Sequence, residues 1–134
     1  VFLKDYCVGY EKAIQQLGGL DIQILGIGRN GHIGFNEPGS SGVSITRKIE
    51  LHEVTKRDAA SAFGGFDLVP SHAITMGMKT ILSAKKIYLM AFGESKKQAI
   101  KQAILGDITD ELPASFLQRH DNVSYCLDFN INIK

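Results

Sequence analysis

The chain has 134 residues, of which 44% are hydrophobic and 22% charged, and its formal net charge is +1. This balance describes one globular core with no basic excess for a polynucleotide and no acidic tail, so no nucleic-acid partner is expected. No apolar run approaches the roughly 20 residues of a membrane span and no cleavable signal pattern opens the chain, so no membrane association is expected; Cys7 and Cys126 lack metal-ligand spacing, and a reducing cytoplasm suits them.

Tyr6, Tyr10, Ala13, Ile14 and Leu17 fall at helical spacing, and Gly18-Gly19 supplies a stop. Asp21 to Leu25 then predicts a short apolar strand. Beyond a glycine-rich loop, Ser44 to Leu51 predicts a partly exposed strand, and Thr55 to Phe63 a helix with Thr55 as its cap, ended by Gly64 and Gly65. A strand at His72 to Met76 follows, then a short helix around Lys79 to Ser83. Ile87 to Phe92 is a continuous apolar run of the kind found in buried parallel strands. A helix should run from after Gly93 to about Leu105, Pro113 suits the first turn of a short helix ending near His120, and Val123 to Leu127 makes a last strand. The alternation predicts an α/β fold: a layered, Rossmann-like, mostly parallel sheet flanked by helices.

The stretch DIQILGIGRNGHIGFNEPG at 21–39 carries the chemistry. Gly26, Gly28 and Gly31 satisfy the dinucleotide pattern G-x-G-x-x-G, but that reading needs a helix opening at the third glycine. Here Pro38 and three further glycines oppose one. Acid–base chemistry suits the spacing better. A histidine ordinarily titrates at about pH 6.5, so His32 can give and take a proton near neutrality. Glu37 stands five residues on, across a turn tightened by Pro38 and Gly39, where it can hold the imidazole in one tautomer. Asn30 can only orient groups by hydrogen bonding. His52, His72 and His120 are read as structural or solvent-facing. Lys96 opens a helix, where an ammonium and unpaired amides would both favour an anion; Lys96, Lys97 and Lys101 also fit the solvated side of a helix burying Ala99, Ile100, Ala103 and Ile104.

The segment LGIGRNGHIGFNEPG resembles the signature of the glucosamine-6-phosphate deaminase and galactosamine-6-phosphate isomerase family. HAITMG at 72–77, IYLMAFGESKKQAI at 87–100 and LPASFLQRHDN at 112–122 follow in matching order, and the ending is more similar to the galactosamine branch. The resemblance implies aldose–ketose isomerisation with loss of the 2-amino group, without metal or organic cofactor. Galactosamine 6-phosphate would give tagatose 6-phosphate plus ammonia, or glucosamine 6-phosphate would give fructose 6-phosphate plus ammonia. The small sugar phosphate would be the partner, and a homo-oligomer is compatible with the family.

By the same resemblance His32 is the ring-opening acid–base residue, Glu37 and Asn30 form its relay, Lys96 contacts the phosphate, and Gly31 belongs to the substrate-binding loop. Some members carry Asp where Asn30 stands. A second family arginine is Ser61 here, and of the basic effector cluster only Arg47 fits, followed by Ile49 and Glu50, so no effector site is expected. The family's C2 base and its phosphate loop are not in this sequence. Residues 1–134 would therefore be the C-terminal portion of a single sugar-phosphate isomerase/deaminase domain, without turnover alone. Two alternatives share parts of the pattern: a 6-phosphogluconolactonase-like hydrolase, whose sequence after Gly-His differs, and the sugar-phosphate effector-binding domain of a transcription regulator.

Overall fold

The computed structural model describes residues 2–131. In chain order its elements are helix α1 (Phe2–Gln16), strand β1 (Ile22–Gly26), β2 (Arg47–Glu50), α2 (Glu53–Phe63), β3 (His72–Thr75), α3 (Met78–Leu82), β4 (Lys86–Ala91), α4 (Lys97–Leu105) and β5 (Val123–Leu127). Short 3-10 segments lie at Phe66–Leu68, Glu94–Lys96 and Pro113–Arg119.

The central strand is β4, paired in parallel with β1 on one side and β5 on the other. Along it Ile87, Leu89 and Ala91 are buried. They pack with Leu25, Ile27, Ile100, Ala103, Ala114, Phe116 and Leu117, so α4 and the Pro113–Arg119 segment cover this face. The apolar run was expected to be buried on both sides. Instead its alternate residues Tyr88 and Met90 are half-buried and exposed, because no described element covers the second face. A separate antiparallel pair, β2 and β3, carries α2 between its strands.

Helix α1 forms where its periodicity predicts, yet Tyr6, Tyr10, Ala13 and Leu17 face solvent and Ile14 is only half-buried. The reason is its anchorage. Glu11 Oε1 accepts the Thr46 amide and the Thr80 hydroxyl, each at 2.7 Å, and this polar clamp rather than the apolar stripe faces the body of the fold. Burial would raise the pKa of Glu11, but the bonds from Thr46 and Thr80 outweigh it and hold the carboxyl below its ordinary range.

The strand expected over Ser44 to Leu51 is shorter. The Ser44 carbonyl accepts the Lys79 amide at 2.9 Å and its hydroxyl accepts the Met78 amide at 3.0 Å, so this end of the segment serves the start of α3 instead of a sheet. A side chain at Gly77 would collide with the Ser44 backbone, which lies directly against it. Helix α2 begins at Glu53, with Thr55 inside it and His52 at the cap position, so Thr55 is not the cap. His120, assigned no chemical role, is structural: Nε2 meets the Ala84 carbonyl at 2.6 Å and Nδ1 accepts the Asn122 amide at 3.0 Å, tying β5 to the turn before β4.

The two faces of the sheet predict opposite costs for similar truncations. Ile87→Ala, at a fully buried site, should lower unfolding free energy by about 2–5 kcal/mol, whereas Ile22→Ala, at a site 60% exposed, should change it by under about 0.5 kcal/mol in urea titrations.

Candidate active site

Strand β1 delivers the chain to its carboxyl end at Gly26, and the following residues fold back on themselves without forming a helix. The Gly28 amide donates to the His32 carbonyl at 2.9 Å, and the Gly31 amide donates to the Gly28 carbonyl at 3.0 Å. Two glycines are required here. A methyl group at Gly28 would occupy the same space as the His32 ring, which therefore rests directly on that backbone. Gly31 has φ +82°, and a side chain there would also strike Leu112.

The return of the loop is braced by Asn36, which is fully buried and uses both ends of its amide. Its Nδ2 donates to the Ile33 carbonyl at 3.0 Å and the Met76 carbonyl at 2.8 Å, while Oδ1 accepts from Arg47 Nη1 at 2.9 Å. Arg47 Nη2 also donates to Ser40 Oγ at 3.0 Å. Arg47, expected as the remnant of an effector cluster, thus holds the loop that carries Glu37.

These constraints bring Asn30, His32 and Glu37 together. His32 Nδ1 lies 2.7 Å from Asn30 Oδ1 and 3.4 Å from Glu37 Oε2, and Asn30 Nδ2 donates to that same carboxylate oxygen at 2.8 Å. Both acceptors require a proton on Nδ1, which assigns the neutral ring to the Nδ1–H tautomer and leaves Nε2 as the basic nitrogen. Among the described residues Nε2 has no hydrogen-bond partner. Thr55 Oγ1, reaching in from the first turn of α2, stands 3.3 Å from Nδ1, and the His52 amide donates to Glu37 Oε1 at 3.2 Å.

Glu37 is 4% exposed. Burial would raise its pKa, but hydrogen bonds from His32, Thr55 and Asn30, with the charge of a protonated His32, bring it down to about 2. It is a permanent carboxylate at any physiological pH.

A cavity of about 500 Å³ opens beside the ring, lined by the end of β1 and by His32, Thr55, Asp58 and Lys96. Lys96 is the last residue of the 3-10 turn before α4, so the chain brings a cation into the same cavity as the imidazole. Asp58 is clipped by Arg29, whose Nε lies 3.0 and 3.1 Å from the two carboxylate oxygens; that guanidinium holds the Asp58 carboxyl below its ordinary range. Gly31 does not line this cavity. It is buried beneath Leu112, with its carbonyl accepting the Ala114 amide at 2.9 Å.

Sequence reading missed Thr55, Asp58, Arg29 and Asn36. For the first two a signal exists, since residues three apart share a helix face, but nothing in the sequence says which face meets the loop.

The family described as glucosamine-6-phosphate isomerases/6-phosphogluconolactonase matches residues 3–125. The chain belongs to this family. A glucosamine-6-phosphate deaminase of Bacillus velezensis is 52% identical over 122 residues, which are 91% of this chain and 51% of the relative. One from Oceanobacillus iheyensis is 49% identical over 122 residues, 91% of this chain and 49% of the relative. The chain thus spans about half the length of the curated relatives it matches. Among solved structures, a monomeric glucosamine-6-phosphate deaminase superposes with TM-score 0.91 at 46% identity, over 93% of this chain and 52% of that one. A 6-phosphogluconolactonase from Trypanosoma cruzi superposes with TM-score 0.67 at 23% identity over 90% of this chain and 47% of that one, a likeness of fold alone.

The depressed pKa of Glu37 fixes the sign of a pH effect. Its contribution is fully present above the unfolded value of 4.5 and is lost as pH falls through about 2. At neutral pH Glu37→Gln should therefore cost about 3 kcal/mol in urea unfolding, and the gap between variant and wild type should close progressively from pH 4.5 towards 2.

Proposed function

We propose that the protein is a glucosamine-6-phosphate deaminase, converting glucosamine 6-phosphate and water to fructose 6-phosphate and ammonia, and that this chain supplies its ring-opening group and a phosphate contact. The observation that carries the reading is the imidazole whose Nδ1 is committed to Asn30 and Glu37, bordering a cavity that also holds Lys96.

In the cyclic sugar, His32 Nε2 takes the proton of the anomeric hydroxyl. The C1–O5 bond breaks, the aldehyde forms, and the imidazolium returns its proton to O5. Glu37 and Asn30 lower the cost of the imidazolium by accepting from Nδ1, and the carboxylate itself gains no proton because it titrates near 2. A base in the remainder of the domain then moves the C2 proton to C1, leaving an imine at C2. Water adds to that carbon and ammonia departs. Lys96 pairs with the 6-phosphate as a point charge. Gly31 serves by shaping the loop beneath the ring.

Residues 1–134 act here as the C-terminal portion of a single domain. A reducing cytoplasm suits the free thiols of Cys7 and Cys126. The structural relative described as monomeric favours a monomer over a homo-oligomer. Glucosamine 6-phosphate is preferred to the galactosamine epimer because both relatives above are named for it. Pro113 to Leu117, in the segment similar to the galactosamine branch, are buried and do not line the His32 cavity.

The test joins this chain behind the first half of the Bacillus velezensis relative and measures ammonia release from both epimers. We expect glucosamine 6-phosphate to be the better substrate and the 134-residue chain alone to release none. His32→Gln should lower kcat about 10²- to 10⁴-fold, and Lys96→Met should act chiefly on KM. A His32→Gln rate within about twofold of the unsubstituted protein would remove the imidazole from the reaction.

A further inference from the structure

Helix α2 starts without a side-chain cap. His52 holds the cap position, its side chain makes no capping bond, and its backbone amide donates instead to Glu37 Oε1 at 3.2 Å. The first amides of a helix carry partial positive charge and lack partners within the helix, so a carboxylate from another segment can serve them. Glu37 does so from the glycine-rich loop. The anion that orients the His32 ring is therefore also the anion at the start of α2.

Thr55 closes this circuit. It lies in the first turn of α2 and is buried. A threonine there commonly returns its hydroxyl to nearby backbone. Here Oγ1 stands 3.3 Å from His32 Nδ1, and the hydroxyl also bonds the Glu37 carboxylate. A hydroxyl has one hydrogen and a carboxylate only accepts, so that hydrogen points to Glu37 and a lone pair is left facing Nδ1–H. The ring nitrogen thus meets three acceptors, Asn30, Glu37 and Thr55, and only the last arrives on a helix. The other charged groups around the ring are Asp58, one turn further along α2 and held by Arg29, and Lys96 from the 3-10 turn before α4. A change confined to the Thr55 hydroxyl leaves both in place.

We propose that Thr55 is a positioning residue for the ring-opening step: by donating to Glu37 and accepting from His32 it ties the seating of α2 to the readiness of Nε2 to take a proton. The proposal rests on the reading of His32 as the ring-opening base. Its physical content is the sharing of one buried charge. With the hydroxyl present, part of the Glu37 charge is met from α2 and the rest bears on Nδ1–H. Without it the carboxylate keeps its charge, loses a donor, and holds the imidazolium more tightly. Fewer molecules then carry a basic Nε2 on the acid side of the pH–rate profile, whereas on the alkaline side the ring is neutral in either case.

The experiment places Thr55→Val and Thr55→Ser in the joined protein described above. Valine keeps the branched shape and a similar helix propensity but loses the hydroxyl; serine keeps the hydroxyl and loses the methyl group. At about pH 6.5, Thr55→Val should lower kcat about 3- to 10-fold with KM within about twofold, and the deficit should close by about pH 8.5. Thr55→Ser should stay within about twofold of the unsubstituted protein at both. A threonine that only packed would give the reverse ranking, because valine fills the site better than serine, and its loss would be the same at every pH. A second readout needs no turnover: the NMR titration of the His32 ring, assigned by its absence in His32→Gln, should have its midpoint about 0.5–1 pH unit higher in Thr55→Val than in the unsubstituted protein. Should Thr55→Val not fold, Thr55→Ala takes its place. Valine as active as threonine, serine no better than valine, a loss independent of pH, or an unmoved ring titration would each overturn the proposal. If the unsubstituted joined protein releases no ammonia, the deaminase reading fails, and the ring titration still decides the role of Thr55.

Discussion

A carboxylate that is 4% exposed and still charged is the constraint around which residues 26–55 are organised. Removing such a group from water costs several kcal/mol unless its lone pairs are met, and Glu37 is met from four directions: the Asn30 amide, His32, Thr55 and the His52 backbone. Two donors belong to the glycine turn after β1 and two to the start of α2. The charge therefore fixes the relative position of the loop and the helix as much as they fix it. Losing a donor would leave Glu37 buried with an unmet oxygen, the expensive half of the hydrogen-bond asymmetry.

The bracing around this group explains why so much polar hardware is spent away from the cavity. Asn36 is buried, carries no charge, and has every amide function paired; its contacts run to the loop itself, to Met76 after β3, and to Arg47 at the start of β2. Those contacts set the loop against the antiparallel pair, and the antiparallel pair carries α2. The Arg29–Asp58 ion pair adds a second tie between loop and helix at the surface, where such a pair is worth about 1 kcal/mol at most. Its effect is on where Asp58 stands in the cavity. With its charge met by Arg29, Asp58 offers less opposition to an anion near Lys96.

Element types were legible because the chain obeys simple periodicities: the 3.6-residue spacing in α1 and α4, and the apolar run of β4. The trio Asn30, His32 and Glu37 was legible because all three lie within eight residues, so local turns alone bring them close. Thr55 was misjudged for the opposite reason. A threonine near a helix start reads as a cap on local grounds, and only the tertiary placement of α2 against the loop turns its hydroxyl to His32. Asn36 gave no signal, since a buried amide is distinguished by partners 11 and 40 residues away. Periodicity likewise marked the stripe on α1 correctly as apolar but could not say what covers it.

That stripe and the open face of the sheet bear on the site itself. Among the described residues β1 has one hydrogen-bonded neighbour, β4, yet β1 is the strand whose end positions Gly28 and hence the His32 ring. In such an arrangement the glycine loop inherits the stability of an edge, which is the part of a sheet that opens most readily. The loop is held by ties of its own, the Gly28 amide on the His32 carbonyl and Asn36 on both the Met76 carbonyl and Arg47.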